Sequence, residues 1–167
     1  MRKIVIGVMG PEAGASECDR QNAYELGQHI AQAGWVLLTG GRNTGVMDAS
    51  SKGAKAANGL TVGILPTADD SAISDAVDIP IITGMGSARN NINVLSSDVV
   101  IACGMGAGTA SEVALALKAN KPIVLLTNHQ ESQLFFKSLS DDNIFFAATP
   151  EVAIQLVKEA LTRQGKI

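Results

Sequence analysis

Charge is scarce in this sequence: Asp, Glu, Lys and Arg make up 17% of its 167 residues, and the net charge is −3. Lys and Arg occur as singles and short pairs only. The chain therefore lacks the basic stripe of a nucleic-acid footprint, and leaves room for one local anion pocket at most. Cysteine is nearly absent. Cys18 and Cys103 are too isolated for a disulfide framework or for metal-ligand spacing, and such thiols fit a reducing cytoplasm. No apolar run approaches the ~20 residues that span a bilayer, so no membrane association is expected. The start, MRKIVIGVMG, breaks at Gly7 and Gly10 and has no convincing cleavage site, which makes it a first strand and not a signal peptide. A Walker lysine, a serine-hydrolase elbow, a zinc motif and internal repeats are all missing. The two histidines, His29 and His129, stand away from any nucleophile or carboxylate pair and are read as structural.

What the chain has is apolar residues, 46% of it, in runs that alternate with helical patterns. Strands are expected at KIVIGV (3–8), WVLLT (35–39), LTVGIL (60–65), IPIIT (79–83), DVVIAC (98–103), PIVLL (122–126) and NIFFA (143–147). These runs are almost continuously apolar, as parallel strands covered on both faces require. Ser16 to Asp19 reads as a capping box opening a helix with Ala23, Leu26, Ile30 and Ala33 inward, and Gly34 closes it. Thr149-Pro150-Glu151 opens the last helix, with Ile154, Val157 and Leu161 inward. The expectation is an α/β fold: a single Rossmann-like domain over residues 1–167, with a doubly wound, mostly parallel sheet of about seven strands flanked by helices. Residues 66–78 are expected as a surface loop.

Ligands of such folds collect outside the carboxyl ends of the strands. Four glycine-bearing loops are expected there: 7–14, 39–47, 83–91 and 103–112. In GMGAGTASE, the stretch Gly104, Met105, Gly106, Ala107, Gly108 and Thr109 can bring backbone N–H groups and a helix N-terminus to an anion, or merely turn a strand into a helix. Thr109 to Glu112 is formally a capping box, which would occupy Glu112 structurally. A carboxylate beside a phosphate also repels it unless a cation intervenes. Arg89 is that candidate cation, the one charged residue between Asp78 and Asp98. Gly40, Gly41, Arg42 and Gly45 precede a second helix N-terminus; Arg42 either meets the ligand or faces water. Met47 is expected in the core.

GGRNTGVM, SARNN and GMGAGTASE, in that order, resemble the lysine-decarboxylase-like Rossmann proteins, which include the Lonely Guy phosphoribohydrolases. That resemblance implies cleavage of the N-glycosidic bond of a nucleoside 5′-monophosphate, with Arg89 and Glu112 matching the catalytic Arg and Glu. The chain departs from the hydrolase pattern at Asn90, Gly104 and Met105, where those enzymes carry Lys, Pro and Gly. GVMGP, GWVLLTGGR, GVMDASSKGAK, SDAVDIPIITGMGSARNNIN and GMGAGTASEVALALKANKPIVLL resemble the molybdenum cofactor carrier proteins along almost the whole chain. This second resemblance implies binding, protection and delivery of molybdenum cofactor (molybdopterin) without turnover. Recipients would be molybdoenzymes or insertion factors, and the protein a homodimer or homotetramer.

On that reading the cofactor is held by Gly10, Pro11, Gly40, Gly41, Arg42, Gly45, Arg89, Gly104, Met105, Gly106, Ala107, Gly108, Thr109 and Glu112, with no protein ligand to the metal. Its phosphate is expected on the 104–109 and 40–45 loops at two helix N-termini. Glu112 then orients and caps, and Arg89 bridges it to the anion. A nucleotide-binding sensor on the same fold is a further alternative. Side chains at Gly106 or Gly108 are expected to block the anion or to strain the backbone wherever φ is positive. Few charges on 87–97 and 110–120 point to a subunit interface over those helices.

Overall fold

The computed structural model describes residues 2–140 and 142–167; Met1 and Asp141 of the expected single domain lie outside the described residues. Strands β1 (Val5–Met9), β2 (Val36–Thr39), β3 (Leu60–Leu65), β4 (Ile79–Ile82), β5 (Val99–Cys103), β6 (Ile123–Leu126) and β7 (Ile144–Ala147) form one sheet in the order β4-β3-β2-β1-β5-β6-β7. Every neighbouring pair is parallel. All seven apolar runs are strands, and the sheet is wholly parallel. Central strands β5 and β6 are buried at every residue, as their unbroken apolar sequence requires.

Helices α1 (Glu17–Gln32), α2 (Gly45–Ala56), α3 (Arg89–Ser96), α4 (Ala107–Lys118), α5 (Gln130–Lys137) and α6 (Pro150–Arg163) connect the strands, with a 3-10 turn at Gly86–Ala88 before α3. Local signals place several of their ends. Ser16 Oγ accepts from the Asp19 N–H at 3.0 Å while Asp19 Oδ2 accepts from the Ser16 N–H at 2.9 Å, closing the expected box at the start of α1. Thr149 caps α6, with Pro150 as its first residue.

Two cores lie on either side of the sheet. On one, Leu26, Ile30, Val46, Ala54, Ile154, Val157 and Leu161 of α1, α2 and α6 cluster with Ile6, Val8, Leu37, Ile101 and Val124. On the other, Val94, Val113, Ala116 and Phe136 of α3, α4 and α5 cluster with Met9, Leu38, Ile64, Val100 and Leu125. Helices α1 and α2 touch backbone to backbone: a Cβ added at Gly27 would lie 2.0 Å from the Ser50 carbonyl oxygen, and one at Gly53 would lie 1.9 Å from that of Tyr24.

The chain steps from β3 to β4 through residues 66–78, which contain no helix or strand and form the expected loop. An antiparallel bridge from Arg42 to Ile73 ties this loop to the end of β2. Strand order reverses between β1 and β5, so the carboxyl ends of those two strands border an open crevice.

Candidate functional site

That crevice opens into a cleft of about 530 Å³. Its walls come from the β1–α1 loop (Gly10 to Gly14), the end of β2 with Gly40 and Arg42, the turn before α3, and the first two turns of α4. Of the residues expected to hold a ligand, Gly10, Pro11, Gly40, Arg42, Arg89, Gly106, Ala107, Gly108, Thr109 and Glu112 all line it. They come from loops far apart in sequence, brought to one edge by the parallel order of the strands.

The other four expected residues do not line this cleft. Gly104 and Met105 face a neighbouring cavity of about 420 Å³ with Cys18, Asp19 and His129. Gly104 has φ +75 and packs on the Asp19 carboxylate, turning the chain out of β5 towards α4. Gly45 lies at a third cavity with Arg20, Asp48 and Lys52. Gly41 lies against the backbone of Gly63. The N-terminus of α2 is tied within the protein, because the Val46 N–H donates to the Pro11 carbonyl at 3.1 Å. Of the two helix N-termini expected to share an anion, the one at this cleft is that of α4.

Helix α4 starts earlier than its sequence implied. Gly106, with extended backbone (φ −155, ψ 173), is its N-cap, so Thr109 and Glu112 both lie inside the helix. The expected box between them does not form. Starting the helix at Ala107 leaves Glu112 a turn too deep to reach back to its end, and the carboxylate crosses instead to α3. There Asn93 Nδ2 donates to Glu112 Oε1 at 2.9 Å, and the Arg89 guanidinium stands 3.7 Å away. The backbone-strain argument at Gly106 and Gly108 falls too: neither has a positive φ, and a Cβ at Gly108 would meet nothing within 4 Å. Their lack of side chains keeps the cleft open.

Arg89 and Glu112 are only 7% and 5% exposed. A Cβ at position 40 would stand 2.6 Å from Arg89 Nη2, so Gly40 is what lets the guanidinium lie across the end of β2. Arg89 Nη1 donates to Asn90 Oδ1, and Asn90 Nδ2 donates to Ser111 Oγ at 3.0 Å. Burial lowers the Arg89 pKa, against the opposing pull of Glu112 and Glu12. Burial also pushes the Glu112 carboxyl up to about 7, although the Asn93 hydrogen bond and Arg89 act the other way. Arg42 pairs with Glu12, its Nη1 2.7 and 2.9 Å from the two carboxylate oxygens. Four buried polar atoms around the cleft have no partner: Thr109 Oγ1, Arg89 Nε, Arg42 Nε and Asn93 Oδ1.

Sequence reading missed Glu12, Asn93 and Ser111. Glu12 sits in a loop that reads as surface, and Asn93 carries no signal beyond lying one turn after Arg89. Met47 is buried as expected, yet it also lines the cleft. His129 is the N-cap of α5, accepting from the Ser132 N–H. Among the described residues no three His, Cys, Asp or Glu side chains group closely enough to hold a metal ion, and no helix is long and apolar enough to cross a membrane.

The SLOG cluster4 family model matches residues 3–154. The structure is similar to that of the molybdenum cofactor binding protein from the phototrophic bacterium Rippkaea orientalis: 60% identity, TM-score 0.95, covering 96% of this chain and 99% of that one. It is similar also to the Moco carrier protein of Chlamydomonas reinhardtii, at 56% identity and TM-score 0.91 over 97% and 99%. A cytokinin riboside 5′-monophosphate phosphoribohydrolase of Mycobacterium tuberculosis is 35% identical over 94 residues, 54% of this chain and 50% of that protein.

Proposed function

Because this chain belongs to the SLOG cluster4 family and to the molybdenum cofactor carrier proteins, we propose that it binds molybdenum cofactor as cargo. It shields that cargo and passes it to a molybdoenzyme or insertion factor without chemical turnover. The carrying observation is the meeting of the Arg89 guanidinium, Thr109 and the N-terminus of α4 in one cleft. An anion seated at the start of α4 would gain from that nearby positive charge. The free N–H groups of the first turn of α4 and its positive end add to the attraction. The cleft has the volume of a small-molecule site, of the order of 300–1,000 Å³. A carrier needs affinity without selectivity for a transition state, and the residues present suit that.

A phosphoribohydrolase is the second reading, favoured by the Arg89–Glu112 pair and by a carboxyl whose pKa of about 7 suits general-acid work. Against it stands Asn90. Its amide is already engaged by Arg89 and Ser111 and brings no positive charge to a reacting ribose. Losing one preorganised electrostatic group typically costs ~100-fold or more in rate.

The decisive assay is release of ribose 5-phosphate from adenosine monophosphate and isopentenyl-adenosine monophosphate, beside cofactor binding followed by pterin fluorescence and molybdenum analysis. Tight cofactor binding with no Glu112-dependent release is expected. Rapid release that disappears in Glu112→Ala would make the protein a hydrolase. In Gly108→Val, whose new side chain has room within the fold, cofactor binding is expected to weaken while circular dichroism stays that of the parent. Unchanged affinity in that variant would move the phosphate elsewhere.

A further inference from the structure

We infer that Glu112 is the residue through which this cleft accepts a dianion, taking up one proton from solvent as the phosphate settles at α4 and releasing it as the phosphate leaves. The inference rests on the phosphate reading above. Its basis is the arrangement of charges and hydrogen bonds around one buried carboxyl.

The cleft is lined by four ionisable side chains among the described residues: Glu12 from the β1–α1 loop, Arg42 from the β2–α2 loop, Arg89 from α3 and Glu112 from α4. Strand β1 adds only Val8 and Met9. Glu12 and Arg42 neutralise each other by their two-oxygen contact. That leaves Arg89 to serve both Glu112 and an incoming dianion. One guanidinium cannot offset three negative charges in a buried site.

The hydrogen bonding around Glu112 is thin for an ionised carboxylate and leaves room for the neutral form. Two or three donors hold an ionised carboxylate's pKa low, whereas Glu112 has one side-chain donor, Asn93 Nδ2, with the guanidinium at 3.7 Å beyond hydrogen-bond reach. Asn93 Oδ1 is meanwhile a buried acceptor without a partner. A protonated Glu112 supplies the missing donor: its O–H can donate to Asn93 Oδ1 while Oε1 continues to accept from Nδ2. Carboxylic acid and amide then form a closed two-bond pair, and the Arg89 guanidinium is released to the phosphate. Burial has already brought the carboxyl to the edge of protonation at neutral pH, so a nearby dianion need shift the balance only modestly.

The test is calorimetric titration of the protein with ribose 5-phosphate at pH 8, in two buffers of different ionisation enthalpy. The ligand's own second ionisation, at about pH 6, is complete there. Uptake of close to one proton per ligand is expected for the parent and none for Glu112→Gln. Correspondingly, Kd rises by about tenfold per pH unit above neutrality in the parent and stays level in the variant. If the variant fails to fold, the parent's proton count decides alone. Binding of ribose 5-phosphate without proton uptake overturns the inference and leaves the phosphate reading standing. Failure of both ribose 5-phosphate and the cofactor to bind at any pH overturns that reading, and the inference with it.

Discussion

Glu112 is a buried carboxyl lining the candidate cleft. Its pKa is raised, from 4.5 to about 7, chiefly by burial. The folded state therefore holds more protons than the unfolded chain between those values, and stability falls as pH rises through that window. Below pH 4.5 both states carry the proton and the penalty vanishes. Above pH 7 it is present in full, on the order of 3 kcal/mol if the whole shift is realised. Glu112→Gln keeps the shape and removes the charge, so it should raise the melting temperature at pH 8 and leave it nearly unchanged at pH 4.5. Thermal unfolding at the two pH values checks this; an equal effect at both would detach the penalty from ionisation. The same carboxyl was read from sequence as a helix cap. Its neighbours along the chain supported that role, and only the crossing to Asn93 on α3 reassigns it.

At the scale of elements, the α1–α2 contact inverts a rule of helix propensity. Alanine replacing glycine inside a helix usually stabilises by about 1 kcal/mol. In α2, however, Gly53 faces the Tyr24 carbonyl of α1 so closely that a methyl group must push the helices apart. Overpacking of this kind costs roughly 1–3 kcal/mol. Gly53→Ala is therefore expected to lower the urea midpoint without changing the m-value. A midpoint at or above that of the parent would show that the helices separate freely. Helix ends divide the same way. The start of α1 was legible because Ser16 and Asp19 close their box locally. The start of α4 was not, because Gly104, turned by contact with Asp19 of another element, and Gly106 move the N-cap three residues upstream of the position the sequence motif marks.

For the whole molecule, one region of the sheet lacks cover. By register, Ile79 and Ile81 of β4 stand on the same face as Ile64, which packs with Val94 of α3. Yet they are 45% and 44% exposed, and Leu95 on α3 is 53% exposed. The outer positions of α3, α4 and the 3-10 turn before α3, including Ser87, Ala88, Asn91 and Ala114, add no charge beyond Lys118. We propose that a second copy of the chain covers this apolar edge, through a two-fold contact of α3, α4 and β4. Light scattering at micromolar concentration should give a particle of at least twice 17.3 kDa, and Leu95→Asp or Ile81→Lys should shift it towards the monomer. A 17.3 kDa particle for the parent would end the proposal.

By itself the sequence determined the seven strands, their parallel character and the sheet edge at which the candidate cleft lies. Apolar runs, their spacing and glycine-rich connections are properties of consecutive residues, and burial on both faces leaves few other arrangements for strands so uniformly apolar. It also placed Arg89, Thr109 and Glu112 among the candidates. The tertiary structure alone decided which candidates share one cleft: it drew Arg89 across Gly40, tied Arg42 to Glu12 and sent Gly45 and Gly104 to other cavities. Those outcomes rest on contacts between segments tens of residues apart. A carboxyl's proton affinity and an amide's missing partner depend on what surrounds them in space, and the residues beside them in the chain do not specify it.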